Sequence, residues 1–194
     1  MRCVSLHELR MTVLGEVRAS FGGRPLELGG PRQRAVLALL VVARGAVVTR
    51  DRLVEDVWAG RPPQSAAASL QAHVSHLRRC LEPERAARAR GGVIVSERAG
   101  YALRLPGDAV DAWRFEEALR SAAALSDEGR PSEAVSVLEA GLALWRGPAY
   151  AEYADEPWAH QESTRLAGLR ELARERLLAA RLDRGEDAVL VPEL

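Results

Sequence analysis

Ser65-Ala66-Ala67-Ala68-Ser69-Leu70-Gln71-Ala72-His73-Val74-Ser75-His76-Leu77-Arg78-Arg79-Cys80-Leu81 is the stretch on which the fold turns. Leu70, Val74, Leu77 and Leu81 recur at intervals of four, three and four, which places them on one narrow stripe of a helix. Ser65 is positioned as its N-cap. On the helical wheel Ala72, Ser75 and Arg79 lie opposite the stripe, with Gln71 and Arg78 on one flank and His76 on the other. A helix buried along one line that offers amide, hydroxyl, imidazole and guanidinium groups along the other carries the donors needed to contact base edges and phosphates.

Upstream, residues 51–58 form a second amphipathic helix with Leu53, Val54, Val57 and Trp58 turned inward, led in by Thr49 or Arg50 and ended by Arg61-Pro62-Pro63. Before it, Gly29-Gly30-Pro31 opens a helix with proline in its first turn; residues 35–42 are its apolar body and Gly45 ends it. Residues 13–21 and 24–28 alternate around Gly22-Gly23 as a hairpin, so residues 1–10 read as an N-terminal arm. Downstream of an Arg/Ala-rich stretch, residues 93–95 and 101–105 flank Ser96-Glu97-Arg98-Ala99-Gly100 as a second hairpin. Strands, three helices and a hairpin, in that order, describe a winged helix-turn-helix preceded by a small sheet, spanning residues 11–106.

Pro106-Gly107-Asp108 marks a boundary. Residues 107–194 are helical in texture, with segments at 113–125, 132–145 and 156–182 and small residues at Ala118, Ala122, Ala134 and Ala140. These are the marks of paired helices resembling tetratricopeptide hairpins, and an odd third helix points to an incomplete helical domain. The whole is mainly α with a small β component.

The net charge of zero conceals a division. Up to Gly107 there are 17 arginines against nine acidic residues, and beyond it 10 against 18, so a basic half is joined to an acidic one. Every Lys/Arg position is arginine. The longest apolar run, residues 35–43, is too short to cross a bilayer, and the N-terminus has no signal core, so a cytoplasmic location is expected. Cys3 and Cys80 form no paired motif and read as reduced thiols. His73, His76 and Cys80 share one side of the helix at metal-ligand spacing, but no fourth ligand lies nearby, so no metal or other cofactor is expected. No GxSxG, Walker or HExxH pattern occurs, which argues against an enzyme.

Residues 28–40, with Leu28-Gly29-Gly30-Pro31-Arg32-Gln33-Arg34 at their head, resemble the first-helix signature of the Streptomyces antibiotic regulatory protein (SARP) family. Leu70-Gln71-Ala72-His73-Val74-Ser75-His76-Leu77-Arg78-Arg79 is similar to that family's recognition helix, and Ala99-Gly100-Tyr101-Ala102-Leu103 to the strand that closes its wing. Ala143-Leu144-Trp145-Arg146-Gly147-Pro148-Ala149 and Ala154-Asp155-Glu156-Pro157-Trp158 resemble its bacterial transcriptional activation domain. The resemblance implies an OmpR-type winged helix on promoter direct repeats near the −35 element. It further implies tandem or dimeric binding, and recruitment of RNA polymerase holoenzyme through its σ factor and the C-terminal domain of its α subunit. A nucleoid location and control of an antibiotic gene cluster complete what the resemblance implies. A protein-interaction adaptor, or a repressor without activating function, is the alternative. One departure is visible: where relatives carry Arg-Gly-x-Gly-Tyr, this wing has Glu97-Arg98-Ala99-Gly100-Tyr101, which shifts its phosphate contact to Arg98 or weakens it.

On that frame residues 69–79 are expected in a major groove, with Ser69, Gln71, Ala72, His73, Ser75, His76 and Arg79 facing it. Gln71 to adenine, or Arg79 to guanine, would each discriminate a base by about 1–3 kcal/mol. Arg78 is expected as a phosphate clamp and Arg98 near a minor groove. Arg32 and Arg34 sit beside the free N–H groups that open the first helix, and one of them is a candidate phosphate contact. Trp58 either packs under a sugar-phosphate or belongs to the core.

Overall fold

The computed structural model describes residues 8–82 and 92–184. Helix α3 (Ala66–Leu81) follows the apolar stripe: Leu70, Val74, Leu77 and Leu81 are at most 1% exposed. It packs on α1 (Pro31–Val42) and α2 (Arg50–Val57). α1 runs through the centre, so residues 35–41 are all buried and the helix is apolar on every side. Beyond its last turn the chain reverses through Arg44 and Gly45, at φ 50° and 85°. Thr49 caps α2, its hydroxyl accepting from Arg52 N at 3.2 Å, an arrangement worth about 1 kcal/mol. Ser65 differs from expectation. Its ψ of 8° is not extended, and its hydroxyl caps nothing; Ala66 N instead donates to Pro63 O at 2.9 Å.

The wing is a three-stranded antiparallel sheet in the order β4 (Val48–Thr49), β6 (Gly100–Leu103), β5 (Ile94–Ser96). Val48 pairs with Tyr101 and Ile94 with Leu103. Gly100 is required by this pairing, because a Cβ there would overlap the Val48 carbonyl. Glu97 N donates to Gly100 O at 2.9 Å and Gly100 N to Glu97 O at 3.2 Å, leaving Arg98 and Ala99 exposed at the tip. At the other end Glu82, buried at the foot of α3, accepts from Val93 N at 2.7 Å.

The first sheet corrects the expectation of one long strand over residues 13–21 after an arm. It is β1 (Leu9–Thr12), β2 (Arg18–Phe21) and β3 (Arg24–Pro25), antiparallel in that order. Leu9 pairs with Phe21 and is fully buried, so residues 8–10 are not an arm; residues 1–7 lie outside the described residues. The single strand fails because Val13 and Leu14 are both buried in succession, and Gly15 breaks the alternation at φ 144°.

Helices α4 (Asp111–Asp127), α5 (Pro131–Leu142) and α6 (Pro157–Asp183) form successive antiparallel pairs. Gly141 lets α5 approach α4, since a Cβ there would lie 3.0 Å from that of Ala118. The Phe115 and Trp145 rings meet edge to face at 5.4 Å. Among the described residues, none of these helices is long and apolar enough to cross a membrane.

The connector at residues 106–108 does not leave two independent halves. Met11 N donates to Ala109 O at 2.7 Å, Arg146 N to Leu14 O at 2.8 Å and Tyr150 N to Val13 O at 2.8 Å. Asp111, 3% exposed, accepts from Val13 N at 2.8 Å and Leu14 N at 3.2 Å, and is paired with Arg146. Asp111→Ala leaves those donors unpaired in the core. It is expected to cost about 3–5 kcal/mol in urea unfolding, against about 1–3 kcal/mol for Arg146→Ala, which leaves the buried carboxylate its backbone donors but takes away its charged partner.

Candidate nucleic-acid interface

The outer face of α3 is polar and open: Gln71, Ala72, Ser75 and Arg79 are exposed, with Ser69 half-buried beside them. Among the described residues Arg79 makes no ion pair, so its guanidinium is free to meet an anion or a guanine edge. His76 lies half-buried on the flank, its Nε2 3.4 Å from Cys80 Sγ. It also crowds Gly29, where a Cβ would come within 2.9 Å of the ring and where φ is 86°. The left-handed φ is what calls for glycine at this position. The Cys80 thiol donates to Glu27 O at 3.1 Å, and burial pushes its pKa up, which leaves it a poor thiolate.

Four of the sequence candidates have other duties. Arg78, a candidate phosphate clamp, donates from Nε to Ile94 O and from Nη2 to Ser96 Oγ, each at 2.9 Å, while its guanidinium lies over Tyr101. It fastens the wing to α3. Arg34, one of the two candidates at the start of α1, pairs with Glu152 at 2.8 Å and donates to Gly29 O at 3.0 Å, joining α1 to the 3-10 turn at Ala151–Tyr153. Glu152 is itself fixed by Val17 N at 2.8 Å, and Tyr153 OH donates to Pro31 O at 2.8 Å. Trp58 is 7% exposed and belongs to the edge of the core. His73, half-buried, stacks on it with ring centroids 6.0 Å apart and planes 20° from parallel, so His73 does not face outward with Gln71.

Arg32, exposed, caps this stack with its guanidinium 5.5 Å from the Trp58 centroid, a cation–π contact that sets the cation beside α3. Gln71, Ala72, Ser75 and Arg79 thus share the exposed face of α3, flanked by Ser69 and His76, while Arg32 stands over Trp58 and Arg98 at the wing tip. With His73 turned onto Trp58, the His73–His76–Cys80 trio does not converge; among the described residues no three His, Cys, Asp or Glu are grouped to hold a metal. Sequence reasoning passed over Arg50, Glu82 and Glu152. Each acts on a partner distant in sequence, and nothing local marks it.

Residues 23–103 match the family described as transcriptional regulatory protein, C terminal, and residues 110–194 match the bacterial transcriptional activator domain. Regulatory protein AfsR of Streptomyces coelicolor is 36% identical over 96% of this chain and 18% of its own length. Transcriptional regulatory protein MoaR1 of Mycobacterium bovis is 35% identical over 96% of this chain and 60% of its own. A solved structure of Mycobacterium tuberculosis EmbR in complex with a low affinity phosphopeptide shares the fold at a TM-score of 0.88, with 30% identity, covering 96% of this chain and 48% of that one. The chain belongs to the SARP family of transcriptional regulators. It spans between 18% and 60% of the length of AfsR and MoaR1. It carries the DNA-binding and activator domains of a SARP-type regulator, and that family consists of regulators rather than enzymes.

In this SARP chain the His73 imidazole is held below its usual pKa of 6.5, chiefly by burial and then by the charges of Arg32 and His76. The unfolded chain therefore binds the proton more readily, and the stability present above 6.5 is lost as pH falls through the lowered value. Wild-type stability relative to His73→Gln should shrink between pH about 7.5 and about 5 in paired thermal melts. A constant difference would show that the stacked ring does not titrate in that window.

Proposed function

We propose that this SARP chain binds promoter direct repeats near the −35 element, in tandem, and recruits RNA polymerase holoenzyme to switch on a secondary-metabolite gene cluster. The polymerase contacts on this reading are its σ factor and the C-terminal domain of its α subunit. The open face of α3 carries the reading: Gln71, Ser75 and Arg79 project uncharged and cationic donors from a helix whose other side is wholly buried. On this reading residues 69–79 lie in a major groove. Gln71 and Arg79 read bases, Ser69, Ala72, Ser75 and His76 line the contact, and Arg32 and Arg98 meet phosphate or the minor groove. Arg34, Trp58, His73 and Arg78 hold these groups in place. Head-to-tail copies on direct repeats need no two-fold interface.

The test is selection of bound sequences from a randomised duplex library, footprinting on the selected duplex, and transcription with purified holoenzyme. Enrichment of a direct repeat and stimulated transcription are expected. Bound DNA without stimulation would favour the repressor alternative, and no enrichment even at low salt would favour the adaptor. Arg79→Ala is expected to relax preference at one base position by about 1–3 kcal/mol. Arg32→Ala is expected to weaken all sequences and reduce the magnitude of the salt slope by about one. Arg34→Ala should leave that slope unchanged and instead lower the melting temperature, because its partner is Glu152. A reduced slope for Arg34→Ala would return that residue to the DNA surface.

A further inference from the structure

We infer that Arg50 is a positioning residue that sets the wing tip for DNA contact through Tyr101 and the wing backbone; this deepens the DNA-binding reading above and rests on it. Arg50 opens α2 directly after β4, and its backbone N–H donates to Ala99 O at 3.1 Å. Its side chain turns the same way: Nη1 donates to Arg98 O at 3.0 Å, with a longer contact of 3.5 Å from Nη2 to Glu97 O. The carbonyls of Glu97, Arg98 and Ala99 are therefore all held by one residue of the helix-turn-helix. A tight hairpin tip pulled in by three donors has little freedom to swing.

The Arg50 guanidinium also lies 5.5 Å from the centroid of Tyr101, and that of Arg78, from α3, lies 5.8 Å from the same ring. Tyr101 is buried on the central strand of the wing, so α2 and α3 grip the same side chain through planar cations. Arg78 adds its bonds to Ile94 O and Ser96 Oγ on β5. The recognition helix thus fixes one edge of the wing and the start of α2 fixes its tip. Arg98 is exposed at that tip, and its backbone carbonyl is the atom Arg50 holds. Lysine has the charge of arginine but not the planar fork that reaches two carbonyls while stacking on a ring. The contribution of Arg50 is therefore geometric rather than a matter of charge alone.

The test uses the full chain and the duplex it selects from a randomised library, with Arg50→Ala, Arg50→Lys, Arg98→Ala and the double variant Arg50→Ala/Arg98→Ala. Both Arg50 variants are expected to weaken the selected duplex about tenfold and to lose hydroxyl-radical protection at the wing-side edge of the footprint, while protection by α3 persists. Arg98→Ala should weaken binding, and adding it to Arg50→Ala should cost little more, since a mispositioned tip has already lost its contact. Additive losses in this cycle, or full rescue by Arg50→Lys, would overturn the positioning role. If Arg50→Ala melts far below the wild type, Arg50→Lys and its footprint decide. Should the wild type select no sequence at all, the DNA-binding reading itself fails. If it does select one and Arg98→Ala weakens binding while both Arg50 variants bind as the wild type, only the inference about Arg50 falls.

Discussion

The carboxylate of Asp111 is buried in the first turn of α4, and both halves of the chain are registered on its hydrogen bonds. A carboxylate in an apolar interior is costly unless its lone pairs are filled. Here they are met by Val13 N, Leu14 N, Ala112 N and the Arg146 side chain, with the positive end of α4 adding to the field. Two of those donors come from the turn after β1, and Arg146 from the connector after α5. Any tilt of the helical unit away from the first sheet would strip at least two hydrogen bonds from one buried charge. The backbone bonds of Arg146 and Tyr150 to the same turn add to that penalty, and Tyr150 accepts a left-handed φ of 54° to make its own. The first sheet therefore acts as the gasket between the two units rather than as an ornament on the winged helix.

A second connection runs from this gasket to the start of α1. Glu152 divides its carboxylate between Val17 N and the Arg34 guanidinium, and Tyr153 OH donates to the carbonyl of Pro31. Burial, with the neighbouring Glu152 charge, pushes the Tyr153 hydroxyl up to about 12, so it stays protonated and able to donate at any ordinary pH. The start of α1 is thus held by the helical unit. Arg34, which the sequence pattern offers to phosphate beside Arg32, serves in this structure as an interdomain link.

α3 was legible because its apolar stripe is strict and its neighbours need nothing but period and punctuation: Pro31, Thr49 and Pro62-Pro63 bracket the helices where they occur. The wing hairpin was legible for the same reason, with Gly100-Tyr101 marking its return strand. What was not legible is long-range pairing. Leu9 is a strand residue only because Phe21 lies across from it, and Arg34 finds Glu152 118 positions away. Arg78 and Arg79 are adjacent and chemically identical, yet helical geometry turns one toward Ile94 O and leaves the other in solvent. The wheel sets Arg79 opposite the apolar stripe and Arg78 on its flank; the position of β5 decides what the flank residue meets.

That separation bears on how affinity and discrimination are divided. If every arginine of the basic half met phosphate, binding would be strong, steeply salt-dependent and indifferent to sequence. Arg34, Arg50 and Arg78 are occupied by carboxylate, carbonyl and aromatic partners, which on the proposed reading lowers the phosphate count by three cations while fixing the surface they surround. On the proposed reading the groove face then relies on Gln71 and Ser75, neutral groups whose hydrogen bonds depend on base identity, with Arg79 adding one directional cation. Rigid support is what makes so short a set sufficient, because a bidentate amide or guanidinium discriminates only when its backbone cannot shift to satisfy the wrong base. On that reading the arginines occupied within the protein contribute to specificity by holding still the few groups that read the bases.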